Sequence, residues 1–191
     1  MSLKRIVPAV TALLLTLGAC TPEGVCYHRF LRMDPNGWTR TDTLVFADTL
    51  WFSAEAVPAR LLLETIIRHD GRYPYENLHL KAFITAGTQP APGDSLHDGP
   101  ASLRTAQLFS LTLVDAGHRW NGEGWGSLFT KCSVPHTLSL SQALFAPGTR
   151  SYYHQPDTSR LNLPLTVRLV SAMADDRLPG IESVGLRIKA E

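Results

Sequence analysis

The chain has 191 residues, of which 44% are hydrophobic and 18% are charged, and its formal net charge is +1. This length supports one domain with a single sizeable hydrophobic core. The near-neutral charge, without a basic stripe, excludes the electrostatic footprint of a nucleic-acid-binding protein.

Residues 1–19 follow the order of an export signal. Lys4 and Arg5 supply a positive start, and residues 6–17 form an apolar stretch. About a dozen apolar residues are too few to cross a bilayer as a helix, which needs roughly 20, but they match the length of a signal sequence. We therefore expect residues 1–19 to be a signal peptide, and its removal leaves 16 basic against 17 acidic residues.

Cys20 directly follows this segment. Residues 17–20 read Leu-Gly-Ala-Cys, an ending that resembles the bacterial lipobox, whose small residues let the peptidase reach the bond before the lipid-bearing cysteine. Each buried lipid methylene contributes about 0.8 kcal/mol, so two or more chains hold a protein firmly on a membrane. We expect Cys20 to carry lipid and to hold a soluble body on the membrane, outside the cytoplasm. The alternatives are an ordinary secretory peptide with an unmodified cysteine, or a short anchor helix.

The composition of residues 20–37 predicts a tether, because this segment combines a Thr-Pro-Glu-Gly stretch with a Met-Asp-Pro-Asn-Gly turn. Residues 38–191 are then expected to form the folded domain. The remaining cysteines, Cys26 and Cys132, lie on opposite sides of this boundary. Disulfides form in exported proteins, and a bridge that closes so long a loop stabilises the folded state by a few kcal/mol. We favour a Cys26–Cys132 disulfide, with two unpaired thiols as the alternative.

Period-two alternation of apolar and polar residues dominates the rest of the chain and predicts β-strands. Pro164 cannot donate a hydrogen bond to a sheet, so its strand is expected to start there or to lie at an edge. Asp70 and Gly71 form a hairpin-type dipeptide. The alternation covers residues 44–52, 61–67, 77–85, 108–114, 161–169 and 184–188. Roughly six to eight strands predict an all-β fold, a single antiparallel β-sandwich of jelly-roll type.

Residues 93–96 read Gly-Asp-Ser-Leu, which spells the nucleophile block of the GDSL esterases. Asp115 and His118 are spaced like the downstream acid and base of those enzymes. A hydrolase serine, however, needs a tight turn after a buried parallel strand, next to an oxyanion hole. Here prolines precede Ser95, and the chain lacks the alternation of strands and helices that a hydrolase sheet requires. We expect a polar surface loop and no catalytic residues, so an esterase is only the third hypothesis.

The histidines do not show a spacing that is typical of a metal site either. Seven histidines are scattered along the chain without a His-x-His pair or a His-Glu-x-x-His helix, the spacings that zinc sites use. We therefore expect no metal and no cofactor. The histidines are His28, His69, His79, His97, His118, His136 and His154.

Two stretches combine aromatic residues with backbone constraints. In the first, Pro74 fixes the backbone between two tyrosines. In the second, glycines at alternate positions permit unusual backbone angles beside two tryptophans. Both stretches could offer aromatic faces to a sugar ring or a partner protein, but we favour a structural role in which rings plug the core. The candidate contact residues are Tyr73, Tyr75, Trp120, Gly122, Gly124 and Trp125.

These stretches resemble a known family. Residues 67–78, Ile-Arg-His-Asp-Gly-Arg-Tyr-Pro-Tyr-Glu-Asn-Leu, resemble a segment of the gliding-motility-associated lipoproteins called GldH. Residues 117–124 and 178–188 are similar to two further stretches of that family, in the same order. Where the family tends to show Met-Arg, this chain has Met173 and Ala174. If that arginine contacts a partner in gliding members, this chain lacks the contact.

The resemblance implies a lipoprotein of the Bacteroidota cell envelope, anchored in the outer membrane and associated with the gliding machinery and its linked secretion apparatus. Relatives occur in species that do not glide, so the resemblance supports an envelope lipoprotein more firmly than a motility protein. The leading hypothesis is a non-enzymatic structural or assembly component that acts through contacts with other envelope proteins. The alternative is a lipid-anchored carbohydrate-binding β-sandwich module.

Overall fold

The computed structural model describes residues 24–53, 55–87, 103–125, 128–133, 136–140 and 160–191. Within these ranges the chain is built from strands and the turns that join them. The twelve strands found there are β1 (Val25–Arg32), β2 (Trp38–Thr39), β3 (Leu44–Ser53), β4 (Arg60–Asp70), β5 (Asn77–Ala86), β6 (Leu103–Thr112), β7 (Glu123–Trp125), β8 (Leu128–Cys132), β9 (His136–Ser139), β10 (Arg160–Ser171), β11 (Arg177–Leu178) and β12 (Ile181–Ala190). The predicted signal peptide and Cys20 lie outside the described residues.

The strands form two antiparallel sheets and a short ribbon. The larger sheet has the order β1-β12-β4-β8-β7, with β9 also paired to β4, and the smaller sheet has the order β3-β10-β5-β6. The ribbon pairs β2 with β11. The first long strand thus pairs with the last, β3 with β10, and β5 with β6, which is the order of a jelly roll. The prediction of an all-β antiparallel sandwich is confirmed.

The buried apolar residues of the described chain form one hydrophobic core between the inner faces of the two sheets. In β10 every second residue from Leu163 to Leu169 is buried, and each such side chain stabilises the fold by roughly 2 kcal/mol. In β4 the same alternation continues beyond the predicted strand end at Ile67 and buries His69 completely. The period-two pattern therefore decides which side chains of these two strands form the core.

The strand directions give the sandwich two distinct ends. At the proximal end, where the described chain begins, Val25 opens β1 next to the last residues of β12, and Arg60 opens β4. At the distal end β4 closes at Asp70, and β12 opens at Ile181. The 11 residues of β4 separate the two ends by about 33 Å at 3.3 Å per residue. The loops at the distal end include residues 71–76, 113–122 and 172–180.

The folded domain begins before residue 38, so the prediction of a tether over residues 20–37 is wrong. β1 lies inside that range and pairs along its length with β12. Because β1 is an edge strand, most of its side chains are half-buried or exposed. Its sequence therefore lacks the strong apolar alternation that a more deeply packed strand shows.

Pro164 lies inside β10, a central strand, and not at a strand start or a sheet edge as predicted. It pairs with Thr49 of β3, whereas the ladder with β5 begins only at Leu165. Its carbonyl accepts a hydrogen bond from the amide of Gly87 at 2.9 Å. Its missing N–H therefore faces Gly87, just beyond the end of β5, and no hydrogen bond within the β5 ladder is lost.

The predicted Cys26–Cys132 disulfide is also wrong, since both cysteines are free and exposed. Two strands, β12 and β4, separate β1 from β8, and the register places Cys132 in the same cross-strand row as Phe30. Three strand spacings and a shift of four residues put the two Cα atoms roughly 19 Å apart. A disulfide needs Cα atoms within about 7 Å, so the sheet order itself excludes the bridge.

Candidate functional site at the distal end

Three stretches that are far apart in the sequence meet at the distal end. The turn after β4 packs against the segment before β12, where the amide of Asp70 donates a hydrogen bond to the carbonyl of Gly180 at 2.8 Å. Gly180 has φ +78, and a Cβ atom there would lie 2.4 Å from the amide nitrogen of Tyr73. Only glycine fits this close backbone contact. The loop that carries Trp120 packs onto the same turn. The indole nitrogen of Trp120 is so close to Gly71 that a Cβ atom added there would lie 3.9 Å from it.

The centre of this end is an aromatic cluster around His69. The His69 ring lies 4.8 Å from Trp120, 5.7 Å from Phe129 and 6.3 Å from Tyr73, measured between ring centroids. Trp120 and Phe129 lie 5.9 Å apart, and Tyr75 lies 5.8 Å from Tyr73. We call these five residues the distal aromatic cluster. The two aromatic stretches found in the sequence are therefore one packed unit, and His69 joins them.

His69 is fully buried, and its Nδ1 atom lies 3.4 Å from the carbonyl of Asp70. Its Nε2 atom is buried without a hydrogen-bond partner among the described residues. Burial disfavours the charged imidazolium, so it lowers the pKa of His69. The side chain is thus a neutral member of the cluster, packed against the rings of Trp120, Phe129 and Tyr73.

The two tyrosines of the first stretch differ in exposure. Tyr73 is 2% exposed, and its hydroxyl donates a hydrogen bond to the carbonyl of Asn77 at 2.9 Å. Tyr75 is 36% exposed and hydrogen-bonds with Asp175, which raises the pKa of its hydroxyl. Their ring planes are inclined at 78°, so the two rings do not form the shared flat face on which a sugar ring could stack.

The glycines of the second stretch permit the close approach of β7 to β8. Gly122 has φ +134, and a Cβ there would lie 2.3 Å from the carbonyl oxygen of Thr130. A Cβ on Gly124 would lie 2.7 Å from the Phe129 ring. Trp125 pairs with Leu128 through the backbone, and its side chain lies outside the described part of the structure. The described glycines therefore shape the hairpin that holds Phe129 against His69.

A network of charged groups borders the cluster. The guanidinium of Arg72 hydrogen-bonds to Asp70 at 2.8 Å and to Glu182 at 3.0 Å. Burial opposes ionisation of Asp70, but hydrogen bonds from the side chain and backbone of Arg72 outweigh it and lower the pKa of Asp70. The network joins the end of β4 to the start of β12, so it reinforces the contact between Gly180 and Tyr73.

The residues that mimic an esterase are not brought together by the described chain. Residues 93–96, including Ser95, lie outside it. Asp115 accepts backbone hydrogen bonds from Arg119 at 3.0 Å and Gly117 at 2.8 Å, which lower its pKa. His118 has φ +57 and completes this turn. Asp115 therefore holds the loop in shape and does not orient a histidine.

The described residues contain no group of three or more metal-ligating side chains. Across the same ranges, no helix is long and apolar enough to span a membrane.

Sequence reasoning missed Phe129, and it treated His69 as one of seven scattered histidines. The signal for His69 was present, since the alternation of β4 places it on the same face as Leu63 and Ile67. Phe129 has no such signal, because β8 is short and its burial depends on the hairpin with β7.

Comparison with known proteins adds no assignment to this geometry. No known protein family matches the chain, and no curated protein matches it significantly.

Proposed function

We propose that this protein is a lipid-anchored component of the cell envelope that acts without catalysis, as a structural or assembly factor, through contacts with other proteins. The proposal extends the resemblance to the gliding-motility lipoproteins. The observation that carries it is the polarity of the fold. β1 begins at Val25, close behind Cys20, whereas the three stretches that resemble the family meet at the opposite end of the sandwich.

This polarity would set the orientation of a lipidated chain. The five steps from Cys20 to Val25 reach at most about 17 Å. A lipid on Cys20 would thus keep the proximal end near the membrane surface. The distal aromatic cluster would then stand about 33 Å further out, where another envelope protein can reach it.

The distal end also has the character of a binding surface for a protein. Tyr75 and Arg72 are exposed there, and tyrosine and arginine are enriched at interface hot spots. Both are attached to a turn that is fixed by the buried Tyr73 and by Gly180. A surface that is already rigid loses little conformational entropy on binding.

The anchor is tested by metabolic labelling with palmitate in the native host. We expect the wild-type chain to incorporate the label and to sediment with membranes, and the Cys20→Ala variant to do neither. Cys26→Ala is the matched control and should behave as the wild type. Label in the Cys20→Ala variant, or membrane recovery of that variant, would contradict the anchor.

The partner surface is tested by site-specific photocrosslinking in the intact envelope. A crosslinking residue at Tyr75 reports on the distal end, and one at Thr137 in β9 reports on the proximal half. We expect a discrete protein adduct from Tyr75 and none from Thr137, with gliding or secretion proteins as the first to be checked. Adducts with glycan and not protein would instead support the carbohydrate-binding alternative.

A further inference from the structure

The outer face of the larger sheet carries a row of three polar residues near the distal end. Arg32 of β1 pairs with Ser183 of β12, and Ser183 pairs with Arg68 of β4. Residues paired across neighbouring strands point to the same face. The Cα atoms of the two arginines are therefore about 10 Å apart, and both side chains are exposed. The register shifts next to Ser183, and such bulges are frequent beside binding sites.

The positive charge of this row is not neutralised by the described residues. Arg72, Arg187 and Lys189 all pair with carboxylates, whereas neither Arg32 nor Arg68 has a carboxylate within 4 Å in the described ranges. Glu182, which lines the same groove, already binds Arg72. Two unpaired guanidinium groups on one surface attract an anion.

An aromatic ring holds one of the two arginines in position. The guanidinium carbon of Arg68 lies 4.0 Å from the centroid of the Phe30 ring, a cation–π contact. Phe30 in turn covers Gly185, where a Cβ would lie 2.6 Å from the ring. A cation–π contact leaves the N–H groups of a guanidinium available to bind a carboxylate with two hydrogen bonds.

The same part of the sheet forms a groove of about 290 Å³, which is lined by Phe30, Arg32, Arg68, Leu128, Glu182 and Ser183. Leu128 is 39% exposed, so the groove has an apolar wall beside its basic floor. Its volume is just below the range for small-ligand sites. The groove is suited to a carboxylate side chain with an apolar neighbour.

We propose that this groove binds an acidic segment of a partner protein, with the carboxylate between Arg32 and Arg68 and an apolar side chain against Leu128. Charge complementarity selects the anion. Position favours a protein over a membrane surface, because Arg32 lies about 23 Å along β1 from Val25. That distance exceeds the Debye length of about 8 Å at physiological salt. The choice of a protein partner rests on the proposed function.

The test measures binding to full-length protein immobilised through a tag after Glu191, so the result does not depend on the lipid. The probe is a hexapeptide of alternating leucine and glutamate, and the same peptide with glutamine is its control. We expect the glutamate peptide to bind and the glutamine peptide not to bind. Raising sodium chloride from about 0.05 M to about 0.5 M should weaken the binding, because salt screens charge.

The decisive variant is Arg32→Gln with Arg68→Gln, which should weaken binding of the glutamate peptide by about tenfold or more. The matched control is Arg104→Gln with Arg168→Gln on the other sheet. It removes the same charge, and it includes an arginine whose guanidinium lies 5.5 Å from the Phe83 ring. The control should bind within about twofold of the wild type. Arg32→Lys with Arg68→Lys keeps the charge but not the planar groups, and should fall in between.

Several results would overturn the proposal. Equal losses in the two glutamine variants would show that net charge, and not the groove, binds the peptide. Equal binding of both peptides would show that the groove does not recognise the carboxylate. Binding of phosphatidylglycerol vesicles through Arg32 and Arg68, without binding of the peptide, would assign the groove to lipid. Failure of palmitate labelling would leave this peptide result unaffected and would count only against the anchor.

Discussion

The two ends of the sandwich contrast in how they are built. At the proximal end the described contacts include an exposed ion pair between Arg60 and Glu191 at 3.0 Å. At the distal end, turns pack backbone against backbone at Gly180 and ring against ring around His69. Exposed ion pairs contribute little to stability, whereas buried aromatic packing contributes several kcal/mol. We therefore expect the distal contacts to contribute more to stability than the described proximal ones, and glycine, tryptophan and histidine variants test this difference.

The largest effect is expected from a pair of glycines with nearly equal backbone angles. Gly180 has φ +78 and Gly24 has φ +80, but a Cβ on Gly180 would lie 2.4 Å from a backbone nitrogen, against 3.1 Å from a backbone oxygen for Gly24. Gly180→Ala should lower the free energy of unfolding by about 4 kcal/mol, and Gly24→Ala by only about 1 kcal/mol. Urea unfolding measures both. Equal losses would mean that backbone angle alone governs both sites.

A second pair compares a clustered tryptophan with an exposed one. Trp120 packs on His69 and Phe129, whereas Trp51 of β3 is 54% exposed. Trp120→Ala should reduce the free energy of unfolding by about 3 kcal/mol, and Trp51→Ala by less than about 0.5 kcal/mol. Thermal unfolding of both variants checks this. A Trp120→Ala protein as stable as the Trp51→Ala protein would refute the packing role of the cluster.

The third prediction concerns acid sensitivity. Burial lowers the pKa of His69 in the folded state from 6.5, and burial does the same for His136. A lowered histidine pKa means that the unfolded chain binds more protons, so stability is complete above pH 6.5 and falls as the pH decreases below that value. Asp70 and Asp115 have ordinary pKa values of 3.8 that are lowered further on folding, so their contributions are lost only at lower pH.

The measurement is urea unfolding at about pH 7.5 and pH 5.5, which bracket the ordinary histidine pKa. We expect the wild type to lose stability between these values and the His69→Phe variant to lose less. His136→Phe is the matched variant away from the distal end. It should also lose less stability than the wild type between the two pH values. An unchanged pH dependence in His69→Phe would show that folding does not lower the pKa of His69.

The smallest effect is expected from the thiols. Because Cys26 and Cys132 are free, reductant should leave both gel mobility and the unfolding temperature of the Cys20→Ala chain unchanged. Although the Cys26 residue is exposed as a whole, its thiol is partly buried against the carbonyl of Ile188. This partial burial raises the pKa of the Cys26 thiol, so less thiolate is present and its alkylation should be slow. Mass spectrometry should find two alkylated cysteines. If the two cysteines could be alkylated only after reduction, the disulfide prediction would be correct after all.

Sequence reasoning predicted the strands that bury one whole face well and the strands without such a face poorly. Residues 161–169 and 77–85 correspond closely to β10 and β5, because both strands pack one face on the core and so show period-two alternation. β1 and β8 have no fully buried face, so their sequences lack the alternation that predicts a strand. Pairing with β12 and β4 makes them part of the sheet. The candidate residues Tyr73 and Trp120 were recognised in two separate stretches, but not as members of one cluster around His69.

The sequence by itself determined the fold class and the inward face of the long strands, since the alternation of side chains is a local property of an extended chain. Only the tertiary structure decided which strands are neighbours. It placed Gly180 against Tyr73, aligned Arg32 with Arg68 across Ser183, and kept Cys26 away from Cys132. Such contacts join residues far apart in the chain, and their choice depends on how the whole core packs, which a local pattern does not record.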